Sequence, residues 1–258
     1  MIVGITVDVD EDSGFRDRNL GRVSISRGEY GPNVGIQRLL NLYKKLEIRA
    51  TFFIPGEVAE RFPDACKRIQ DAGHEIGHHG YLHKAPSEFS LEEEKEDLEK
   101  GLAALQKIFG KKPKGYRAPW LGQSDHTYRL LKEYGFDYDS SESGRDSPYF
   151  IPINKKDKLL EIPTKVELID TPYFLNIASP GLLPFPVDPD AVEKIWKTEF
   201  SGMYSSGEEL CFIHTVHPFC IAHFHRLKVY ENLLAYIKSH SHVRFVTLDA
   251  LSRSLSKE

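Results

Sequence analysis

Ile2-Val3-Gly4-Ile5-Thr6-Val7-Asp8-Val9-Asp10 is the stretch on which the fold turns. An apolar, β-branched run over residues 2–8 that ends in acid is the pattern of a buried strand delivering polar groups at its C-terminal edge. Downstream, Ile36, Leu39, Leu40, Tyr43 and Leu46 recur at helical spacing, and Arg49 to Ile54 reads as a second strand, so the chain opens as β-α-β. Pro55-Gly56 breaks the chain, residues 57–72 suit helical turns around Pro63, and His74 to His78 is a short strand opening into a loop. Ser90 with Glu93 makes a capping box, and Leu91, Leu98, Leu102, Leu105 and Ile108 carry one apolar face down to Gly110.

The alternation continues. Gly115 to Pro119 and Phe136 to Asp139 are strand candidates on either side of a helix capped by Ser124 and carrying Leu130, Leu131 and Tyr134. Asp188 or Asp190 starts a helix toward Tyr204, Leu210 to Val216 is a strongly apolar strand, residues 223–239 form a helix, and Val243 to Leu248 is the last strand. A parallel sheet needs a helix on each crossover, and about seven such repeats predict an α/β fold closed, or nearly closed, into a barrel. At 258 residues and 40% hydrophobic, the chain has the length of one such barrel, so a single domain over 1–258 is expected. The stretch 141–187 breaks the rhythm with Pro148, Pro152, Pro163, Pro172, Pro180, Pro184 and Pro186. It reads as an irregular excursion over the barrel mouth, a lid or a hairpin padding one side, with Leu159 to Ile162 and Val166 to Ile169 as strand candidates inside it.

Composition narrows the function. The net charge is −4, and the one basic cluster, Lys107 to Lys114 with Arg117 beyond, spans a Gly-Lys-Lys-Pro turn that reads as a solvated loop. Without a basic stripe interleaved with aromatics, nucleic acid is not an expected partner. No window approaches the length of apolar sequence that spans a bilayer, and the N-terminus lacks the pattern of a secretory signal. Cys66, Cys211 and Cys220 are an odd number at no zinc-like spacing, which suits a reducing compartment; the expected location is the cytoplasm. A homo-oligomer is left open.

The chemistry gathers at strand ends. His74, His78, His79 and His83 lie within ten residues, and His79 and His83 have the i, i+4 spacing that puts two imidazoles on one face of a helical turn. Packing or surface histidines are the competing reading, so the pair needs a third ligand. Asp8 and Asp10 alternate at the end of the first strand and can both point into the barrel mouth, one binding a cation while the other accepts a proton. A loop-start pair of aspartates, or a calcium site with Glu11 and Asp12, is the alternative there. Arg117-Ala118-Pro119-Trp120 ends another strand, where an arginine fixes a carboxylate and an aromatic walls a pocket. His214 and His217 close the strand Leu210 to Val216; either could protonate a leaving amine, and His217 is favoured by its place before Pro218. Trp120, Tyr149, Phe150, Tyr173 and Phe174 are candidates for an apolar wall against a sugar ring, with core packing as the other reading.

Five motifs then stand in order: Thr6-Val7-Asp8-Val9-Asp10, His79-Gly80-Tyr81-Leu82-His83, Arg117-Ala118-Pro119-Trp120, Gly135-Phe136-Asp137-Tyr138-Asp139-Ser140 and His217-Pro218. Together, over roughly residues 2 to 249, the chain resembles the polysaccharide deacetylases (carbohydrate esterase family 4, the NodB homology domain). The resemblance implies a distorted (β/α)7-type barrel and a metal-dependent hydrolase of carbon–nitrogen bonds. It also implies Asp10, His79 and His83 as ligands of a divalent cation such as zinc, Asp8 as general base, His217 as general acid, and Arg117 with Asp139 orienting Asp8. The first motif has Asp-Val-Asp where two adjacent aspartates are usual, and Gly-Tyr-Leu lies between the histidines. Both departures resemble the branch of cytoplasmic peptidoglycan N-acetylglucosamine deacetylase-like proteins and cofactor-free allantoinases. The substrate implied is an acetylated amino sugar; a cyclic ureide or imide is the alternative, and a non-catalytic carbohydrate-binding barrel is a third reading.

Overall fold

The computed structural model of the chain describes residues 1–17, 19, 21–175 and 187–255. Among the described residues nine strands form one sheet: β1 (Ile2–Asp8), β2 (Thr51–Ile54), β3 (Glu75–His78), β4 (Gly115–Tyr116), β5 (Tyr138–Asp139), β6 (Tyr149–Pro152), β7 (Lys158–Glu161), β8 (Cys211–Val216) and β9 (Arg244–Val246). The order is β6-β7-β5-β4-β3-β2-β1-β8, with β9 paired to the first half of β1. Every pairing is parallel except β6 with β7, so the parallel path β7-β5-β4-β3-β2-β1-β8 supplies the seven strands of a distorted barrel. Between β7 and β8 the sheet is curled rather than closed, and among the described residues one parallel bridge, Ile169 to Thr215, spans the gap.

Helices cover the outside because the outward side chains of β1 are apolar. Val3, Ile5 and Val7 are buried with Ile36, Leu39 and Tyr43 of the helix Ile36–Leu46 and with Leu233, Leu234 and Ile237 of the helix Phe224–Lys238. At ~25 cal/mol per Å² of apolar surface removed from water, this shell is the main favourable contribution to the fold. The helix Leu91–Phe109 begins with the expected capping box, in which the Ser90 hydroxyl accepts from the Glu93 N–H while the Glu93 carboxylate accepts from the Ser90 N–H. Asp188 caps the helix Pro189–Ser205, its carboxylate accepting from the Asp190 N–H at 3.0 Å.

The barrel interior is layered. Below the mouth, Phe53, Tyr138, Leu160, Ile162, Ile213, Leu248 and Leu251 form an apolar plug, with Phe53 at its upper end beneath Arg117. A Cβ on Gly4 would come within 2.7 Å of Ile213 and 2.9 Å of Leu248, so only glycine leaves room for that plug. Above it the inward side chains are polar: Thr6 meets Thr215 at 2.8 Å, and Thr164 meets Thr215 at 3.2 Å. Asp8 follows at the mouth.

Several elements differ from expectation. Gly115 to Pro119 is a strand only over Gly115–Tyr116, because Pro119 starts a turn of 3-10 helix, Pro119–Leu121. Ser124 does not cap its helix: the helix Thr127–Glu133 begins later, and the Ser124 hydroxyl accepts from His126 N–H in a turn before it. The proline-rich excursion is in part barrel wall, since β7 pairs in parallel with β5 and carries β6 as an antiparallel edge. Val166 to Ile169 is a short 3-10 turn rather than a strand, with only Ile169 bridging to β8. Pro180, Pro184 and Pro186 lie outside the described residues.

Candidate active site

Five loops, following β1, β3, β4, β7 and β8, converge on a pocket of about 210 Å³. Asp10 stands just beyond β1, His79 and His83 beyond β3, and His217 beyond β8. Asp10 Oδ1 lies 3.2 Å from His79 Nε2, and Asp10 Oδ2 lies 3.2 Å from His83 Nε2 and 3.3 Å from His217 Nε2. Donor atoms of Asp10, His79 and His83 all lie within 4.8 Å of one another, the span a single cation can bridge. Asp10 Oδ1 is buried without a hydrogen-bond partner, an orphaned acceptor that a cation would satisfy. Two imidazoles and one carboxylate are the donor set of a catalytic zinc-type site, so the residues fit the group.

The two candidate histidine ligands sit on a different backbone from the one expected. Residues 79–83 are a bend and not a helical turn, with Gly80 at φ 69° and His83 at φ 57°. His79 Nδ1 is 2.7 Å from the Arg117 carbonyl, a contact that directs its other nitrogen to Asp10. The His83 carbonyl accepts from Trp120 Nε1 at 3.2 Å. Glu11, His83, Trp120 and Leu121 all have left-handed backbone and all line the pocket, four of the seven non-glycine residues with positive φ among those described. Strain concentrated in this way marks functional sites.

Asp8 is held by Arg117. The guanidinium, fully buried, donates from Nη1 to Asp8 Oδ1 at 2.9 Å, to Thr6 at 2.9 Å and to Thr215 at 3.2 Å. Its Nε and Nη2 donate to the Ser140 carbonyl at 2.7 Å and hydroxyl at 2.9 Å, and its plane lies over the Phe53 ring. Removing one member of such a buried pair costs about 3–5 kcal/mol. Asp139 is elsewhere engaged: it accepts from Gln123 at 2.6 Å and Ser141 at 2.8 Å and faces Glu161 across the β5–β7 register. Asp8 is thus tied to Arg117, which Thr6, Thr215 and Ser140 hold in turn, while the Asp139 side chain bonds Gln123 and Ser141 rather than Asp8 or Arg117. Burial lifts the Asp139 carboxyl above the usual range, and burial together with Asp139 lifts Glu161 well above it, so this pair retains a proton.

His217 has a partner the sequence reading missed. Its Nδ1 is 2.7 Å from Asp170 Oδ1, and its backbone N–H donates to Asp170 Oδ2 at 3.0 Å. Burial opposes the imidazolium, but Asp170 and Asp10 outweigh it and hold the ring well above its ordinary value. Asp10 is the mirror case: burial opposes its charge, and His83 and His217 hold the carboxyl well below the usual range. Asp170 is fully buried and opens the short helix Thr171–Phe174 inside the proline-rich stretch. An acid between Leu168-Ile169 and Thr171-Pro172 was the available signal; it reads equally as a helix cap.

The other candidates separate cleanly. His214 is buried between Trp196 and Tyr230, with its pKa driven down to about 3 by burial; His78 likewise falls to about 3 and His74 to about 4. All three are core histidines. Trp120 lines the pocket with Phe15, Leu121, Val166, Ile169 and Phe219. Tyr149 does not: its hydroxyl bonds Glu142 on the outer edge, away from the pocket residues. Phe150 lies on that same edge under Lys158, and Tyr173 and Phe174 pack on Trp196, while Pro172 and Leu175 on either side of them do reach the pocket.

Comparison with known proteins defines the class. The family model for polysaccharide deacetylase matches residues 29–138. A peptidoglycan deacetylase of Helicobacter pylori is 34% identical over 284 residues, covering 100% of this chain and 97% of that protein. The chain therefore belongs to the polysaccharide deacetylase family, carbohydrate esterase family 4, a family of amide-hydrolysing enzymes. A solved chain from Mycobacterium smegmatis is 30% identical with a TM-score of 0.92, covering 99% of this chain and 90% of its own. The solved PuuE allantoinase has the same fold, with a TM-score of 0.87 at 23% identity over 99% of this chain and 90% of that one. No helix among the described residues is long and apolar enough to cross a membrane.

Proposed function

We propose that the chain, acting as one catalytic domain, is a divalent-metal-dependent N-deacetylase of an acetylated amino sugar, with zinc as the cation and Asp10, His79 and His83 as its ligands. The observation that carries this reading is the meeting of those three side chains between two separately held groups, Asp8 on Arg117 and His217 on Asp170. A cation bound there would act as a Lewis acid on the substrate carbonyl.

The chain's own residues supply the rest. Asp8, with one oxygen tied to Arg117, accepts the proton of the attacking water through the other. His217 is kept protonated by Asp170 and Asp10 and turns Nε2 toward the pocket, where it gives a proton to the departing nitrogen. Asp170 then stabilises the ring as it cycles between its two forms. Trp120, 44% exposed at the rim, offers an apolar face on which a sugar ring stacks.

A cyclic ureide is the second substrate reading, favoured by the small size of the pocket, about 210 Å³ against the several hundred usual for larger ligands. Amine release from N-acetylglucosamine oligomers and ring opening of allantoin, each measured on chelated and zinc-reloaded protein, separate the two. Zinc-dependent release of acetate and free amine is the expected result. Turnover that survives complete removal of metal, or turnover of allantoin alone, overturns the proposal.

A further inference from the structure

The bend that carries both histidine ligands lacks the hydrogen bonds a helix would give it, so its polar backbone groups must be satisfied from outside. Its carbonyls are met by the start of the helix Gly56–Arg61: Gly56 N–H donates to Gly80 O at 2.9 Å and Glu57 N–H to Tyr81 O at 3.1 Å. Gly80 N–H donates back to His78 Nδ1 at 3.1 Å. The next two N–H groups, of Tyr81 and Leu82, point at one side chain, Asp97 of the helix Leu91–Phe109: Tyr81 N–H to Oδ2 at 2.8 Å, Leu82 N–H to Oδ1 at 3.1 Å.

We propose that Asp97 is a positioning residue of the metal site, its two carboxylate oxygens fixing the bend that aims His79 and His83 at Asp10. This rests on the metal reading above. Consecutive N–H groups need two acceptors on one rigid fork, which a carboxylate supplies and an amide does not. The helix beneath is a firm base: it is nineteen residues long, carries a complete capping box, and approaches the bend so closely that a Cβ on Gly101 would lie 3.0 Å from the Gly80 carbonyl. Gly80 is held in place from the same side. Its φ of 69° is costly for other residues, and a Cβ there would meet Asp97 Oδ2 at 3.1 Å.

Zinc affinity, measured by competition with a chromophoric chelator on the full chain, tests this without reference to turnover. Asp97→Ala is expected to bind zinc ~10–100-fold more weakly than wild type, the usual consequence of losing a residue that orients ligands. Asp97→Asn, isosteric and keeping one acceptor oxygen, is expected to lose less, and it carries the comparison if the alanine variant does not fold. Glu94→Ala is the control: Glu94 lies one turn earlier on the same helix and bonds Ser124 and Thr127, so its loss loosens the helix but not the bend. It is expected to keep wild-type affinity. Folded Asp97 variants with wild-type affinity, or an equal loss in Glu94→Ala, overturn the Asp97 proposal alone. A wild type that binds no zinc sinks the metal reading and this proposal with it.

Discussion

The two ends of the barrel are built from the same strands and solve opposite problems. At the bottom, Ile213, Leu248 and Leu251 interlock in an apolar plug. At the mouth, three imidazoles crowd one carboxylate on strained backbone. Only a few residues separate the two, since β8 holds Ile213 in the plug and leads to His217 in the site. The lesson is that stability and chemistry are divided along the strand axis: the core end carries the packing energy that offsets strain and charge at the open end.

That division can be broken by substitution. The largest effects belong to the mouth: His79→Ala or His83→Ala should abolish stoichiometric metal, read by elemental analysis, and with it turnover. Asp8→Asn should keep the metal and lose ~10²–10⁴-fold in kcat, the contribution of a general base. Near-wild-type turnover in that variant would remove Asp8 from the mechanism.

His217→Gln should lower kcat over the same range with metal retained, and Asp170→Asn should lower it less, by ~10-fold or more, because His217 then loses the partner that keeps it charged. Equal kcat in Asp170→Asn and wild type breaks the link between them. At the other end, Ile213→Ala or Leu248→Ala should cost about 2–5 kcal/mol in denaturant unfolding. Metal affinity of the folded fraction should stay unchanged; a parallel loss of affinity would mean the two ends are not separable.

The smallest effect sharpens the contrast between two histidines on one strand and its end. His214 is neutral in the fold, its pKa pushed down to about 3 from 6.5, so the unfolded chain binds the extra proton. Its share of stability is present above about pH 6.5 and is lost as the pH falls toward 3. His214→Phe should therefore flatten the fall of unfolding free energy over that window, by no more than ~1.4 kcal/mol per pH unit, without changing kcat. An unchanged pH slope refutes the core assignment.

Much of this was legible. The alternation of Asp8 and Asp10, the Ser90–Glu93 cap and the helical spacing of Ile36 to Leu46 depend on residues within one turn or one strand, and they appear where expected. Within the histidine cluster the i, i+4 spacing singled out His79 and His83, and these two line the pocket; all four are buried, so the direction of each side chain, not burial, sends His74 and His78 into the core. Tyr149 failed for a related reason: its place in the excursion suggested the mouth, whereas β6 carries it to the outer edge of the sheet.

Strand parity, the Ser90 cap and the spacing of the aspartate and histidine motifs were thus set by the sequence alone, because each follows from dihedral preferences and contacts among near neighbours. Which carboxylate serves which base was decided by the tertiary structure: Arg117 reaches Asp8 across 109 residues, Asp170 reaches His217 across 47, and Asp139 turns to Glu161 instead. Charges pair with whatever the fold brings within a few ångströms in a place shielded from water, and that proximity is a property of how the strands close around the barrel axis, not of any segment read by itself.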